Sequence, residues 1–163
     1  MTVADRIGVM NSGQLAQVAT PTEIYEQPNS RWVADFIGDV NLIEGRVVSS
    51  GGGHIAIESV AGGRLKVAHQ ADVTAGAVVW VALRPEKIHL MRKQPEDHYN
   101  TAHGVIKELS YFGSFTVYHV ELSSGARLKV SLANVQRHRD DEYTWGDTVW
   151  AHWSRSAHVV LTS

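Results

Sequence analysis

Arg64-Leu65-Lys66-Val67 returns as Arg127-Leu128-Lys129-Val130, and Gly76-Ala77-Val78-Val79-Trp80 returns as Gly146-Asp147-Thr148-Val149-Trp150, in the same order. In an extended chain successive side chains point to opposite faces. Each Arg-Leu-Lys-Val word therefore puts its leucine and valine on one face and its charges on the other, the pattern of a half-buried strand. The offsets are 63 and 70 residues, so the second copy holds seven more residues between its words, which places an insertion in Ala133 to Thr144.

Short apolar-alternating runs surround both words. Leu42–Ser49, His54–Val60, Arg64–His69, Ala77–Leu83 and Lys87–Met91 are separated by Gly51-Gly52-Gly53, Gly62-Gly63 and Asp72–Gly76. The polar, proline-containing stretch Arg92–Asn100 reads as a linker or an exposed loop, after which His103–Ser110, Phe115–Leu122, Ala126–Leu132, Thr148–Trp153 and His158–Thr162 form a second set. The expected fold is mainly β: tandem OB-like antiparallel β-barrel halves, about residues 41–92 and 101–163, preceded by a β-hairpin and two short helices. Trp80 and Trp150 hold matching places in the two copies and are expected to pack each within its own barrel, with Trp145 and Trp153 at barrel ends or an interface.

Residues 1–40 follow other rules. Ala4–Met10 and Gln14–Ala19 flank Asn11-Ser12-Gly13, a tight-turn composition. Thr20-Pro21-Thr22-Glu23 supplies a hydroxyl cap, a proline at the first helical position and a glutamate three residues on, which opens a short helix that Pro28 ends. Ser30 caps a second helix. Its Trp32, Val33, Phe36 and Ile37 are expected to form one apolar face, closed by Gly38.

The order of hairpin, capped Pro-Thr-Glu-Ile-Tyr helix and Phe36-Ile37-Gly38 leading to Asn41 resembles the end of the nucleotide-binding domain of an ABC importer ATPase, with Ala4-Asp5-Arg6-Ile7 similar to the segment after that family's switch histidine. The remainder resembles the TOBE-type regulatory domain of the polyamine (putrescine or spermidine) importers. The resemblance implies a C-terminal fragment, with 1–40 the remnant of the nucleotide-binding domain and 41–163 the regulatory domain, and it allows strands to cross between the two halves. It also implies ATP and magnesium as cofactors of the parent protein, a second ATPase subunit as partner, and contact with membrane permease subunits through the ATPase domain. Localisation would be cytoplasmic and peripheral to the membrane. No Gly-x-x-x-x-Gly-Lys-Ser/Thr loop, magnesium-holding acidic strand end or switch histidine occurs in the sequence, so the chain itself is expected to bind no cofactor and hydrolyse no ATP.

Candidate chemistry is sparse. Arg84-Pro85-Glu86 matches the Arg-Pro-Glu turn of the family's regulatory domain. Arg84 and Glu86 are candidates for a polar contact at a domain or subunit interface, against the plain alternative of a proline-fixed turn with solvated charges. Trp32 and Phe36 are candidate interface residues. A stripe deprived of its ATPase domain is expected to swap onto a second copy of the chain or to fold back on the barrel. Ser50-Gly51-Gly52-Gly53-His54 looks superficially like part of an ABC signature but lies between strands and reads as a loop. Nine histidines show no i, i+4 pair and no carboxylate cluster, which argues against a metal site, although His152 and His158 could meet across a hairpin. Gln136-Arg137-His138-Arg139 is offset by Asp140-Asp141-Glu142, and beyond residue 40 the 13 Lys and Arg nearly balance 12 Asp and Glu, so nucleic acid is not an expected partner.

The chain has no cysteine, hence no disulfide or thiolate metal site, and no apolar run approaches the ~18 residues of a spanning helix, so no direct membrane insertion is expected. No catalytic constellation is recognisable. Three classes remain: a regulatory and dimer-organising domain of an importer ATPase, a small-anion-binding barrel, and a nucleic-acid-binding OB protein.

Overall fold

The computed structural model describes residues 3–68, 72–96, 100–135 and 142–163. Strands β1 (Ile7–Asn11) and β2 (Gln14–Ala19) form the hairpin, followed by α1 (Pro21–Glu26) and α2 (Arg31–Ile37). The Thr20 hydroxyl accepts from the Glu23 amide while the Glu23 carboxylate accepts from the Thr20 amide, the reciprocal cap expected from the sequence. The Glu23 carboxyl is held below its ordinary range, first by that backbone bond.

The rest is antiparallel sheet: β3 (Asn41–Gly51), β4 (His54–Ser59), β5 (Arg64–Ala68), β6 (Val78–Leu83), β7 (His89–Met91), β8 (Asn100–Tyr111), β9 (Phe115–Leu122), β10 (Arg127–Ala133), β11 (Thr148–Trp153) and β12 (His158–Leu161). Two five-stranded sheets run in the orders β5-β4-β3-β6-β12 and β10-β9-β8-β11-β7. These orders are the same path written twice, with β3 matching β8 and β6 matching β11. The last strand of each set is exchanged: β7 lies in the second sheet, on β11, and β12 lies in the first, on β6. A boundary at residues 92–100 thus divides the repeats in sequence but not in sheet membership. Of that stretch, 97–99 lie outside the described residues, as does 136–141 of the expected insertion together with the basic run 136–139.

One core joins both halves. Ile57, Val67, Val81 and Leu83 share a cluster with Ile106, Val120, Val130, Val149 and Trp153, all at most 2% exposed. The copies also share a device. β3 shifts register between Val47 and Ser49, and β8 between Ile106 and Glu108. Before each shift stands a glycine against the neighbouring strand, where a Cβ at Gly45 would lie 2.9 Å from the Glu58 carbonyl oxygen and one at Gly104 2.4 Å from that of Glu121. A bulge bends its strand and raises local twist, which lets a short sheet curl.

The tryptophans depart from expectation. Val79 and Val81 face the core, so alternation turns Trp80 outward, where it packs beside Ala34, Val40, Ala82 and Leu161 with the Arg31 guanidinium 3.7 Å from its ring centre. Trp150 is likewise on the outer face, its ring 4.5 Å from that of His103 at a tilt of 30°. Trp153, expected at an end or interface, is in the core.

Candidate functional site

The helices meet the barrel at one polar junction centred on Arg84. β6 ends at Leu83, and Pro85–Lys87 form a single 3-10 turn. Arg84 leaves the strand in an extended conformation, pointing its guanidinium under the N-terminal helices. Although charged, it is only 5% exposed. Nη1 donates to the carbonyl oxygens of Ala34 at 2.9 Å, Gly38 at 2.9 Å and Asp39 at 3.0 Å, and Nη2 to that of Tyr25 at 3.3 Å. The last turn of a helix leaves carbonyls with no intrahelical partner, and one guanidinium here serves the ends of both α1 and α2. Its carbon lies 4.3 Å from the centre of the Tyr25 ring. Burial of this cation is thus matched by several acceptors and a π face rather than by a carboxylate.

Glu86 completes the junction from the turn. Its carboxylate accepts from the Tyr25 hydroxyl, and Lys87 pairs with Glu26. The Tyr25 phenol is pushed up to about 12, first by burial and then by the bond to Glu86, both of which disfavour phenolate. Asp39, just beyond α2, pairs with Lys129 on β10 at 3.0 Å. Next to it Asn41, 6% exposed, donates to the Lys129 carbonyl and accepts from the Lys129 amide, both at 2.8 Å. The N-terminal segment is therefore fastened to both halves of the barrel.

Arg84 and Glu86 are brought together with Tyr25. Trp32 and Phe36 are elsewhere. On α2 the buried side chains are Val33, against Val9 and Ile24, and Ala34, against the outer face of β6 and β12. The expected four-residue apolar face therefore rotates: Trp32 and Phe36 stack on each other at 4.9 Å and are 38% and 64% exposed. The reason is steric, since small Ala34 lets the helix approach the sheet where Phe36 would hold it off. The helix lies on its own chain's barrel, with the Arg31 amide bonded to the Ser163 carbonyl at 2.9 Å.

Asn100 holds Lys66 on β5 in the same way, donating to its carbonyl and accepting from its amide at 2.8 Å, and these two asparagines were the residues that sequence reasoning missed. The signal available was Asn41-x-x-x-Gly45 against Asn100-x-x-x-Gly104. The histidines do not gather as pictured: His152 faces His89 across β11 and β7 at 5.3 Å, while His158 lies edge-on to Trp153. His152 titrates below its ordinary value, through burial and then repulsion by His89.

Residues 81–161 match the family model described as TOBE domain. The chain is 42% identical over 163 residues to the putrescine transport ATP-binding protein PotG of Escherichia coli (strain K12), covering 99% of this chain and 43% of that protein. It is 35% identical over 157 residues to the spermidine/putrescine import ATP-binding protein PotA of Thermotoga maritima, covering 94% and 43%. The chain thus spans under half the length of these relatives. Among solved structures, the cytoplasmic molybdate-binding protein ModG with molybdate bound superposes with a TM-score of 0.66 over 82% of this chain and 97% of that one, at 14% identity, a likeness of fold alone. Residues 81–161 thus carry the TOBE domain, and the chain as a whole matches a portion of the ATP-binding subunits that are named for putrescine and spermidine import.

Proposed function

We propose that this chain is the regulatory and dimer-organising region of the ATP-hydrolysing subunit of a polyamine importer, and that Arg84 is its mechanical link to the ATPase domain. The observation behind the link is the single buried guanidinium that binds carbonyls at the ends of both helices. A junction made of several bonds to fixed backbone atoms transmits displacement without sliding, whereas exposed ion pairs yield. Movement of an ATPase domain continuous with residues 1–40 would then carry the barrel with it, and a barrel held by its twin or by a signal would restrain the ATPase in return. The ATP site, the permease contacts and polyamine uptake belong to the whole subunit and its assembly. A small-anion module, as ModG is, remains the other reading, and it rests on likeness of fold.

The test uses the intact subunit assembled with its permease. Arg84→Met keeps volume and removes the donors. The expected result is retained ATP hydrolysis with a several-fold loss of polyamine taken up per ATP. Unchanged uptake and unchanged hydrolysis in a correctly folded variant would overturn the coupling role.

A further inference from the structure

On the outer face of the first sheet, β3, β4 and β5 set Ser49, Ala56 and Lys66 side by side in one row, with Gly51, His54 and Ala68 in the next. Ala56, Gly51 and Ala68 are too small to fill the space between the larger side chains. The result is an open groove of about 440 Å³ lined by Ser49, Ser50, His54, Lys66 and Arg155. Arg155 arrives on the β11–β12 turn, which the Ala68 amide anchors by donating to the Arg155 carbonyl at 2.9 Å. The His54 ring is tied through Nδ1–H to the Gly52 carbonyl at 3.2 Å. Neither Lys66 nor Arg155 has a carboxylate partner among the described residues.

The second half supplies an internal control. Its matching row is Glu108, His119 and Lys129. There a glutamate stands where Ser49 stands, an imidazole fills the place of Ala56, and the lysine is already neutralised by Asp39 at 3.0 Å. A carboxylate thus occupies the neighbourhood of the β10 lysine. The corresponding neighbourhood of the β5 lysine contains the Ser49 hydroxyl, a second cation and open space. Two cations and a hydroxyl around a concavity match a small tetrahedral dianion, whose oxygens accept from several directions at once.

We infer that the groove between Lys66, Arg155 and Ser49 is a binding site for phosphate or a phosphate monoester, independent of the Arg84 junction and of the function proposed above. The experiment titrates the full chain with inorganic phosphate and with adenosine monophosphate, read by calorimetry at low ionic strength. Wild type should saturate. Lys66→Gln and Arg155→Gln should each weaken binding roughly tenfold, the loss of one charge-assisted contact. Lys129→Gln should leave it unchanged. Both groove side chains are on the surface, and matching circular dichroism spectra establish that the variants fold. Tighter binding of the monophosphate assigns the ester, and phosphate binding alone assigns the free oxyanion; either upholds the site. No saturable binding by wild type, or equal loss in Lys129→Gln, overturns it.

Discussion

Asn41 and Asn100 hold opposite halves of the barrel by the same pair of bonds. Asn41, at the start of the first repeat, clasps the backbone of Lys129 in the second, donating to its carbonyl and accepting from its amide at 2.8 Å each. Asn100, at the start of the second, clasps Lys66 in the first in the same way and at the same distances. Lys66 and Lys129 are the third residues of the two Arg-Leu-Lys-Val words. Each lies on an edge strand, whose outer backbone groups lack a strand partner. A side-chain amide has the donor and acceptor spacing of a peptide group, so each asparagine supplies one residue's worth of a missing strand.

Truncation of either asparagine should therefore behave as loss of a buried backbone partner. Asn41→Ala and Asn100→Ala are each expected to lower stability by about 1–3 kcal/mol in urea unfolding, because the lysine amide and carbonyl are left unmet. The two losses should be similar. A change below about 0.5 kcal/mol in both, the size expected of an ordinary surface substitution, would mean that the clasps do not hold the halves together.

The repeat was legible because alternation is written directly into the side chains: Leu65 and Val67, and Leu128 and Val130, are all buried as their words require. The exchange of β7 and β12 was allowed by the family resemblance but was not legible in the side chains. Alternation states which face of a strand is buried and says nothing about which neighbour it pairs with. Arg84 was partly hidden for a different reason. Its turn was recognisable, but its partners are main-chain carbonyls, which carry no residue signature. Trp32 and Phe36 misled through size, since large apolar side chains at i and i+4 imitate a buried face while Val33 and Ala34 make the contact.

Alkaline titration should report on the junction. The Tyr25 phenol titrates near 12 in the folded chain against 10.0 for a free tyrosine, and its protonated form is neutral. The folded state thus binds this proton more tightly. The associated stability is complete below pH 10 and is lost as pH rises from there through 12. Phenolate absorbance compared between wild type and Tyr25→Phe should show one late-titrating group. Glu86→Gln should bring it earlier by removing the carboxylate that the hydroxyl donates to. A Tyr25 midpoint at the ordinary tyrosine value in wild type would refute the buried bond.

Gly45 and Gly104 allow the strands to approach at the two bulges, and they differ in what blocks a side chain. A Cβ at Gly45 would meet the Ile57 Cγ2 methyl at 2.4 Å and the Glu58 carbonyl oxygen at 2.9 Å, whereas one at Gly104 would meet the Glu121 carbonyl oxygen at 2.4 Å and the Val120 Cγ1 methyl at 2.8 Å. A side chain can turn about its χ1 but a ladder carbonyl cannot leave without breaking the sheet, and the carbonyl stands closer at Gly104. Both alanine variants should destabilise, within the range of about 1–3 kcal/mol typical of overpacking, with Gly104→Ala the worse. Thermal melts of the two variants provide the comparison, and the reverse order would show that the second sheet yields more readily than the first.

The two faces of α2 should respond differently to truncation. Val33 is fully buried between Val9 and Ile24, so Val33→Ala removes contacts that join the helix to the hairpin and leaves a cavity that neighbouring strands can only partly close. Phe36, by contrast, is 64% exposed and touches Trp32 at the surface. Its truncation gives up one stacked contact worth about 0.5–1.5 kcal/mol at most, and exposure reduces that further. Hydrogen exchange should distinguish them better than global unfolding, because the N-terminal segment can open while the barrel stays folded. In Val33→Ala, protection of the α2 amides and of the β1–β2 ladder should fall together, while β3–β12 amides keep their rates. In Phe36→Ala both regions should exchange as in wild type. Equal loss of protection in the two variants would place Phe36 in a buried contact of the chain and would contradict the helix orientation found here.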